Sequence, residues 1–153
     1  MLGLVYRARL RDSGNQVDFV NTSLTLPGHA ALAALVVEDN ALVAETIADG
    51  LGELGYSTVK TVGSVEKAIN VVSRDLVDMA IVETSVGSRS TQPVLDALGA
   101  NNTAHVVVAT STWFGSRPTN VPYLEKPFGF YQLRTAVNDA RDQASIRSRN
   151  RRP

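Results

Sequence analysis

The sequence has no cysteine among its 153 residues. Disulfides, thiolate metal sites and cysteine nucleophiles are therefore excluded. It also lacks net charge, because fifteen Lys and Arg balance fifteen Asp and Glu. The chain as a whole projects no field that would draw it to nucleic acid. No apolar run approaches the roughly 20 residues that span a bilayer. Arg7, Arg9 and Arg11 interrupt the N-terminus, so it has no apolar core of a secretory signal. The expectations are no membrane, no direct nucleic-acid binding and a cytoplasmic location. What the chain does have is apolar side chains, 44% of its residues, enough for a core and unlike a disordered sequence. Its length suits one compact domain with short tails.

The chain divides into three parts. In residues 1–30, Leu2, Leu4, Tyr6, Ala8 and Leu10 alternate with other residues, and Asp12-Ser13-Gly14-Asn15 has turn chemistry. A β-hairpin and a loosely held arm both fit, with Pro27-Gly28 as the link onward. Residues 31–146 form the main domain. Residues 147–153 make a basic tail, in which Arg147, Arg149, Arg151 and Arg152 follow Arg141. That tail reads as a solvated helix end or as a dock for an acidic partner.

The main domain alternates strands and helices. Ala33 to Val37 is an apolar run ending in Glu38-Asp39, and Asn40 suits the N-cap of a helix. Val43, Ile47, Leu51 and Leu54 recur at helical spacing, and Gly55 ends that helix. Ser57 to Val62 is a second strand, followed by Ser64 capping a helix with Val65, Ala68, Ile69 and Val72 inward. Met79 to Val82 is a third strand ending at Glu83, and a Ser-, Gly- and Thr-rich loop follows. Pro93 suits the first turn of a short helix carrying Val94, Leu95 and Leu98. Val106 to Ala109 is a fourth strand ending at Thr110. Val121 to Leu124 is a fifth, leading into Lys126-Pro127. A last helix runs from about Phe130 to Ile146. This alternation predicts an α/β fold, a parallel sheet covered on both faces. Ligands of such sheets bind outside the carboxyl ends of the strands.

Those ends concentrate polar residues: Glu38, Asp39, Glu83, Thr110 and Lys126. Carboxylates packed together repel one another and need a cation to stay ionised. Mg²⁺ suits such a site, binding through one or two carboxylates while keeping several waters. Thr110 can donate a hydrogen bond to an anionic oxygen.

In order, spacing and strand-end placement, residues 33–145 resemble the receiver domains of two-component response regulators. Glu38 and Asp39 match the family's acidic pair, which helps hold Mg²⁺. Thr110 and Lys126, the latter in Lys126-Pro127-Phe128, match its phosphoryl-binding hydroxyl and lysine. Tyr123 matches the aromatic that swings inward on switching, and Ser85 the position whose backbone carbonyl binds the metal. The resemblance implies a doubly wound, flavodoxin-like five-stranded parallel sheet of order 2-1-3-4-5. Thr110 and Tyr123 are then switch residues, and Glu38, Asp39, Glu83 and the Ser85 carbonyl are metal ligands. Mg²⁺ is the one cofactor implied, held weakly or not at all. No enzymatic activity is implied. The partners would be a sensor histidine kinase or another signalling protein, with a homodimer also open.

Two departures stand out. Glu83 occupies the position at which the family carries its phosphoacceptor aspartate. The extra methylene moves the carboxylate by on the order of 1 Å, and errors of that size cost about 10²-fold in rate where transfer depends on positioning. The expected result is an atypical, phosphorylation-independent single-domain regulator acting through protein contact, with no catalytic residue. A drifted site without signalling meaning is the alternative. The second departure is the ten residues Ser111 to Asn120, which leave little room for a crossover helix. With Gly115 and Pro118 inside it, the fourth helix should be short or missing. Val108-Ala109-Thr110-Ser111-Thr112-Trp113 is similar to the Phe-Ala-Thr-Gly-x-Tyr motif of alphaproteobacterial stand-alone regulators. Trp113 and Phe114 are candidate partner-binding anchors, or filling for the space of the missing helix.

Other readings are weaker. Gly50-Leu51-Gly52-Glu53-Leu54-Gly55 spells G-x-G-x-x-G but ends a helix where a dinucleotide site would open one. His29 and His105 lack metal-ligand company and read as surface residues. No sequence is left over for an output domain, so output should be by contact through the last helix, the Trp113-Phe114 loop or the basic tail. Rival functions are a Mg²⁺-dependent phosphoryl-transfer enzyme or phosphatase, which would need an aspartate nucleophile at a strand end and is opposed by Glu83, and a receiver fragment of a hybrid histidine kinase.

Overall fold

A computed structural model describes residues 31–110 and 120–150. The expectations for residues 1–30, for the crossover at 111–119 with Trp113 and Phe114, and for residues 151–153 lie outside the described residues.

Side chains of a strand point alternately to opposite faces, so a strand covered on both faces must be apolar throughout. β1 (Leu32–Val37) is such a strand. It lies between β2 (Tyr56–Val62) and β3 (Met79–Glu83), and β6 (Ala104–Thr110) and β7 (Tyr123–Lys126) complete a parallel sheet of order β2-β1-β3-β6-β7. The order expected from the resemblance, 2-1-3-4-5, is the one found. On one face Ala34, Val36, Ile81 and Val106 pack with Ile47 and Leu51 of α1 (Ala41–Glu53) and with Leu133 and Val137 of α4 (Phe130–Asn150). On the other face Leu35, Val37, Ala80 and Val82 pack with Val65, Ala68 and Val72 of α2 (Val65–Arg74) and with Val94 and Leu98 of α3 (Gln92–Ala100). Each fully buried Leu or Val here stabilises by about 1.5–3 kcal/mol relative to exposure.

Local chemistry fixes the helix starts. The Asn40 side chain accepts hydrogen bonds from the backbone N–H groups of Leu42 and Val43, and that of Ser64 accepts from Lys67. α3 has Pro93 in its first turn. The loop expected after β3 is instead a small antiparallel hairpin, β4 (Ser85–Val86) and β5 (Arg89–Ser90). Its turn residues Gly87 and Ser88 have φ of 54° and 63°, the left-handed pair that a two-residue hairpin turn requires.

Three expectations are corrected. β7 spans Tyr123–Lys126, later than the run expected at 121–124, so it includes Lys126 itself. β6 begins at Ala104, and His105 within it is buried, not on the surface. Burial lowers the His105 pKa, and nearby Arg147 adds to this, against a bond between its Nδ1 and the Thr103 carbonyl. Finally, α4 runs to Asn150, so residues 147–150 are helical. The cause is Asn102, at φ 56° between α3 and β6. Its side chain donates to the Ala144 carbonyl and the Ser148 hydroxyl and accepts from Arg147 Nε at 3.0 Å.

Two glycines of G-x-G-x-x-G, Gly50 and Gly55, have structural roles. Gly55, at φ 96°, follows the end of α1. A Cβ at Gly50 would meet Leu133 Cδ2 at 2.8 Å, so Gly50 sets the approach of α1 to α4, whereas Gly52 faces open space. Gly50→Val should therefore destabilise the fold by about 1–3 kcal/mol. Gly52→Ala should stabilise it by about 0.5–1 kcal/mol through helix propensity. Urea denaturation of the two variants checks both signs.

Candidate functional site

Register delivers the polar residues to one end of the sheet. Val37 pairs with Val82, so Glu38 and Glu83 each extend one residue beyond that pair. Thr110 pairs with Lys126 at the ends of β6 and β7. Lys126 Nζ lies 2.5 Å from Glu38 Oε2 and 2.9 Å from Glu83 Oε1, so one ammonium bridges two carboxylates. Glu38 is buried, and its other oxygen accepts from the Asn40 N–H at 2.9 Å. Asp39 is exposed, and its Oδ2 accepts from the Gly87 N–H at 2.8 Å. Oxygens of Glu38, Asp39 and Glu83 lie within 4.8 Å of one another.

The other sequence candidates are spread over the neighbouring strands and the hairpin. Thr110 is exposed at the end of β6. Tyr123 is half-buried and opens β7, at the end of that strand away from Lys126. Ser85 is exposed in β4, paired with Ser90. Asp78, the other acid near the third strand, accepts from the Ala33 N–H at the far edge of the sheet. Pro127 follows Lys126 through a cis peptide bond.

No protein-family model matches the chain, and no curated protein matches it. Solved structures do. SdrG from Sphingomonas melonis Fr1 is 30% identical, with 73% of this chain covering 98% of that one at a TM-score of 0.66. A response regulator receiver protein from Sinorhizobium medicae WSM419 is 23% identical, with 74% and 97% coverage and a TM-score of 0.66. The REC domain of the PhyR response regulator from Erythrobacter litoralis is 20% identical, with 72% and 89% coverage and a TM-score of 0.63. The chain belongs to the response-regulator receiver domains.

Receiver domains bind Mg²⁺ through acidic residues, and the donor set in this one suits such an ion in type, three hard carboxylate groups. One oxygen from each of the three lies within 4.8 Å of the others, so they face one common volume. Lys126 already neutralises part of the same charge.

Electrostatics follow from that sharing. Burial raises the Glu83 pKa above its ordinary 4.5, the Lys126 hydrogen bond opposes the rise, and the charge of Glu38 adds to it. For Lys126, burial disfavours the charge, but the bonds to Glu38 and Glu83 outweigh it and raise its pKa above 10.5.

Two contributors escaped sequence reasoning. Thr91 is buried, with its hydroxyl donating to the Glu83 carbonyl at 2.5 Å and its N–H to the Thr84 carbonyl at 3.1 Å. This ties the strand end that carries Glu83 to the start of α3. Gly87 contributes its backbone N–H to Asp39. The signal for Gly87 was present, since Gly-Ser between two short runs is a hairpin dipeptide.

Two outcomes are expected. A raised Glu83 pKa means that the folded chain holds this proton more tightly than the unfolded chain does. The resulting stabilisation is present at acidic pH and lost as pH rises through the raised value. Wild-type stability should thus fall relative to Glu83→Gln from about pH 4.5 upward, in paired urea titrations across the acidic range. Lys126→Met strands the Glu38 carboxylate and should cost about 3 kcal/mol. Adding Glu38→Gln should restore most of that loss in a double-mutant cycle, with thermal melts as the readout.

Proposed function

We propose that this receiver domain is an atypical, single-domain response regulator held in one signalling state without phosphorylation, working in the cytoplasm by protein contact. The observation that carries the reading is the direct bond, 2.9 Å, between Glu83 Oε1 and Lys126 Nζ. In the family the corresponding lysine binds the phosphoryl group. Here the longer acid reaches it unaided. A glutamate supplies one negative charge and two oxygens, where a phosphate supplies about −1.5 to −2 and three acceptor oxygens. The imitation is therefore partial, and it acts through the positions matching the family's switch, Thr110 and Tyr123. Glu38, Asp39, Glu83 and the Ser85 carbonyl would hold Mg²⁺, weakly or not at all, because Lys126 competes for two of the three carboxylates.

The partner is a sensor histidine kinase or another signalling protein, or a second copy of the chain. An open groove of about 540 Å³ beside Lys126, lined by Leu42, Val43, Ile47, Pro127 and Phe128, supports docking of a protein. Leu42 is 73% exposed there. Trp113, Phe114 and the arginines of the C-terminus are further contact candidates.

Acetyl phosphate with Mg²⁺, followed by intact-mass measurement, tests the reading. Wild type should gain no stable phosphoryl adduct, whereas Glu83→Asp should gain one. Beryllofluoride should likewise shift the backbone NMR spectrum of Glu83→Asp and leave wild type unchanged. Stable labelling at Glu83 would refute the proposal. If neither protein responds, the site has drifted beyond Glu83 and signals nothing.

A further inference from the structure

The β4–β5 hairpin has two residues per strand, too short a ladder to hold itself in place. Its position depends on fastenings to the rest of the fold. At its base, Thr91 bonds the carbonyls of Glu83 and Thr84. On its inner side, Val86 is buried. On its outer side, Arg89 pairs with Glu66 of α2. At its tip, Gly87 donates its N–H to Asp39 Oδ2, across 48 residues of sequence. Of these fastenings, the last is the one made by a carboxylate side chain of the group of three.

We propose that Asp39 is a positioning residue that couples the carboxylate group to this hairpin, so that a change of charge in the group is read at the Arg89–Glu66 pair on α2. A hydrogen bond to an ionised carboxylate is stronger than one to a neutral acceptor. A cation drawn to Asp39 takes charge away from Oδ2 and weakens its hold on Gly87. Arg89 follows Gly87 by two residues and moves with it. The side chains of Arg89 and Glu66 are 65% and 62% exposed. Such a surface pair contributes little stability, so a small shift of the hairpin suffices to open it. Two charged groups are then released on the α2 face. This route leads from the site to a surface without passing through the 111–119 crossover.

Backbone NMR and amide hydrogen exchange on the full chain test the coupling. In Asp39→Ala, the amides of Gly87 to Arg89 should exchange roughly tenfold faster, as loss of a charge-assisted hydrogen bond implies, and the Gly87 proton should move upfield. Asp39→Asn keeps an acceptor oxygen and should recover most of the wild-type behaviour. Unchanged exchange and shift at residues 87–89 in Asp39→Ala would overturn the coupling. The cation arm rests on the reading that these carboxylates take Mg²⁺. Mg²⁺ added to wild type should move the Gly87 amide in the direction of the Ala variant. If it moves the Glu38 and Glu83 side-chain carboxyl signals but not residues 87–89, the coupling is wrong. If it moves neither set, the Mg²⁺ reading fails instead, and the Ala and Asn variants decide the coupling.

Discussion

One ammonium shared between two carboxylates organises this end of the molecule. Glu38 is buried at the end of β1, an interior strand, and a buried carboxylate without a partner is costly. Lys126 supplies that partner from the edge strand β7, 88 residues away in sequence. The strand order must therefore bring β7 alongside β6 and β6 alongside β3 before the charge is compensated. Glu83, between them, takes the remaining capacity of the same ammonium. Topology and electrostatics constrain each other: the site is ion-paired only if the whole sheet is in register.

Glu83 has a simple consequence in that frame. The site has one cation for two close carboxylates, and a third, Asp39, stands near them. An external cation meets a charge already partly compensated from within. The backbone around Glu83 is held as well, by the Thr91 hydroxyl on its carbonyl, so the longer side chain is presented from a fixed strand end. Glu38, Asp39 and Glu83 thus share one end of the sheet with Lys126 and its pair partner Thr110.

Much of the fold was legible because local and global signals agree. Asn40, Ser64 and Pro93 mark helix starts by the chemistry of their own side chains, and buried strands reveal themselves as unbroken apolar runs. The site was legible through the same strands, since their ends hold its polar residues. What escaped depends on contacts remote in sequence or on backbone groups. The burial of His105 was hidden because its side chain is polar, and that burial is made tolerable by a bond to the Thr103 carbonyl. The last turn of α4 is polar and has no periodic apolar signal, and Asn102 holds it. Gly87 is marked as a turn residue by its Gly-Ser dipeptide, but no side-chain pattern records that its N–H reaches Asp39.

The clasp at Asn102 also fastens the far end of α4. The helix has 21 residues, a rod about 30 Å long at the usual rise per residue. Its first turn follows Lys126-Pro127 closely, and its far end is pinned to the turn before β6. Between those ends Leu133, Ala136, Val137 and Ala140 anchor the rod to the sheet, so the clasp fixes its length and angle, and the exposed Phe130 and Tyr131 of the first turn are carried at a set height beside Lys126.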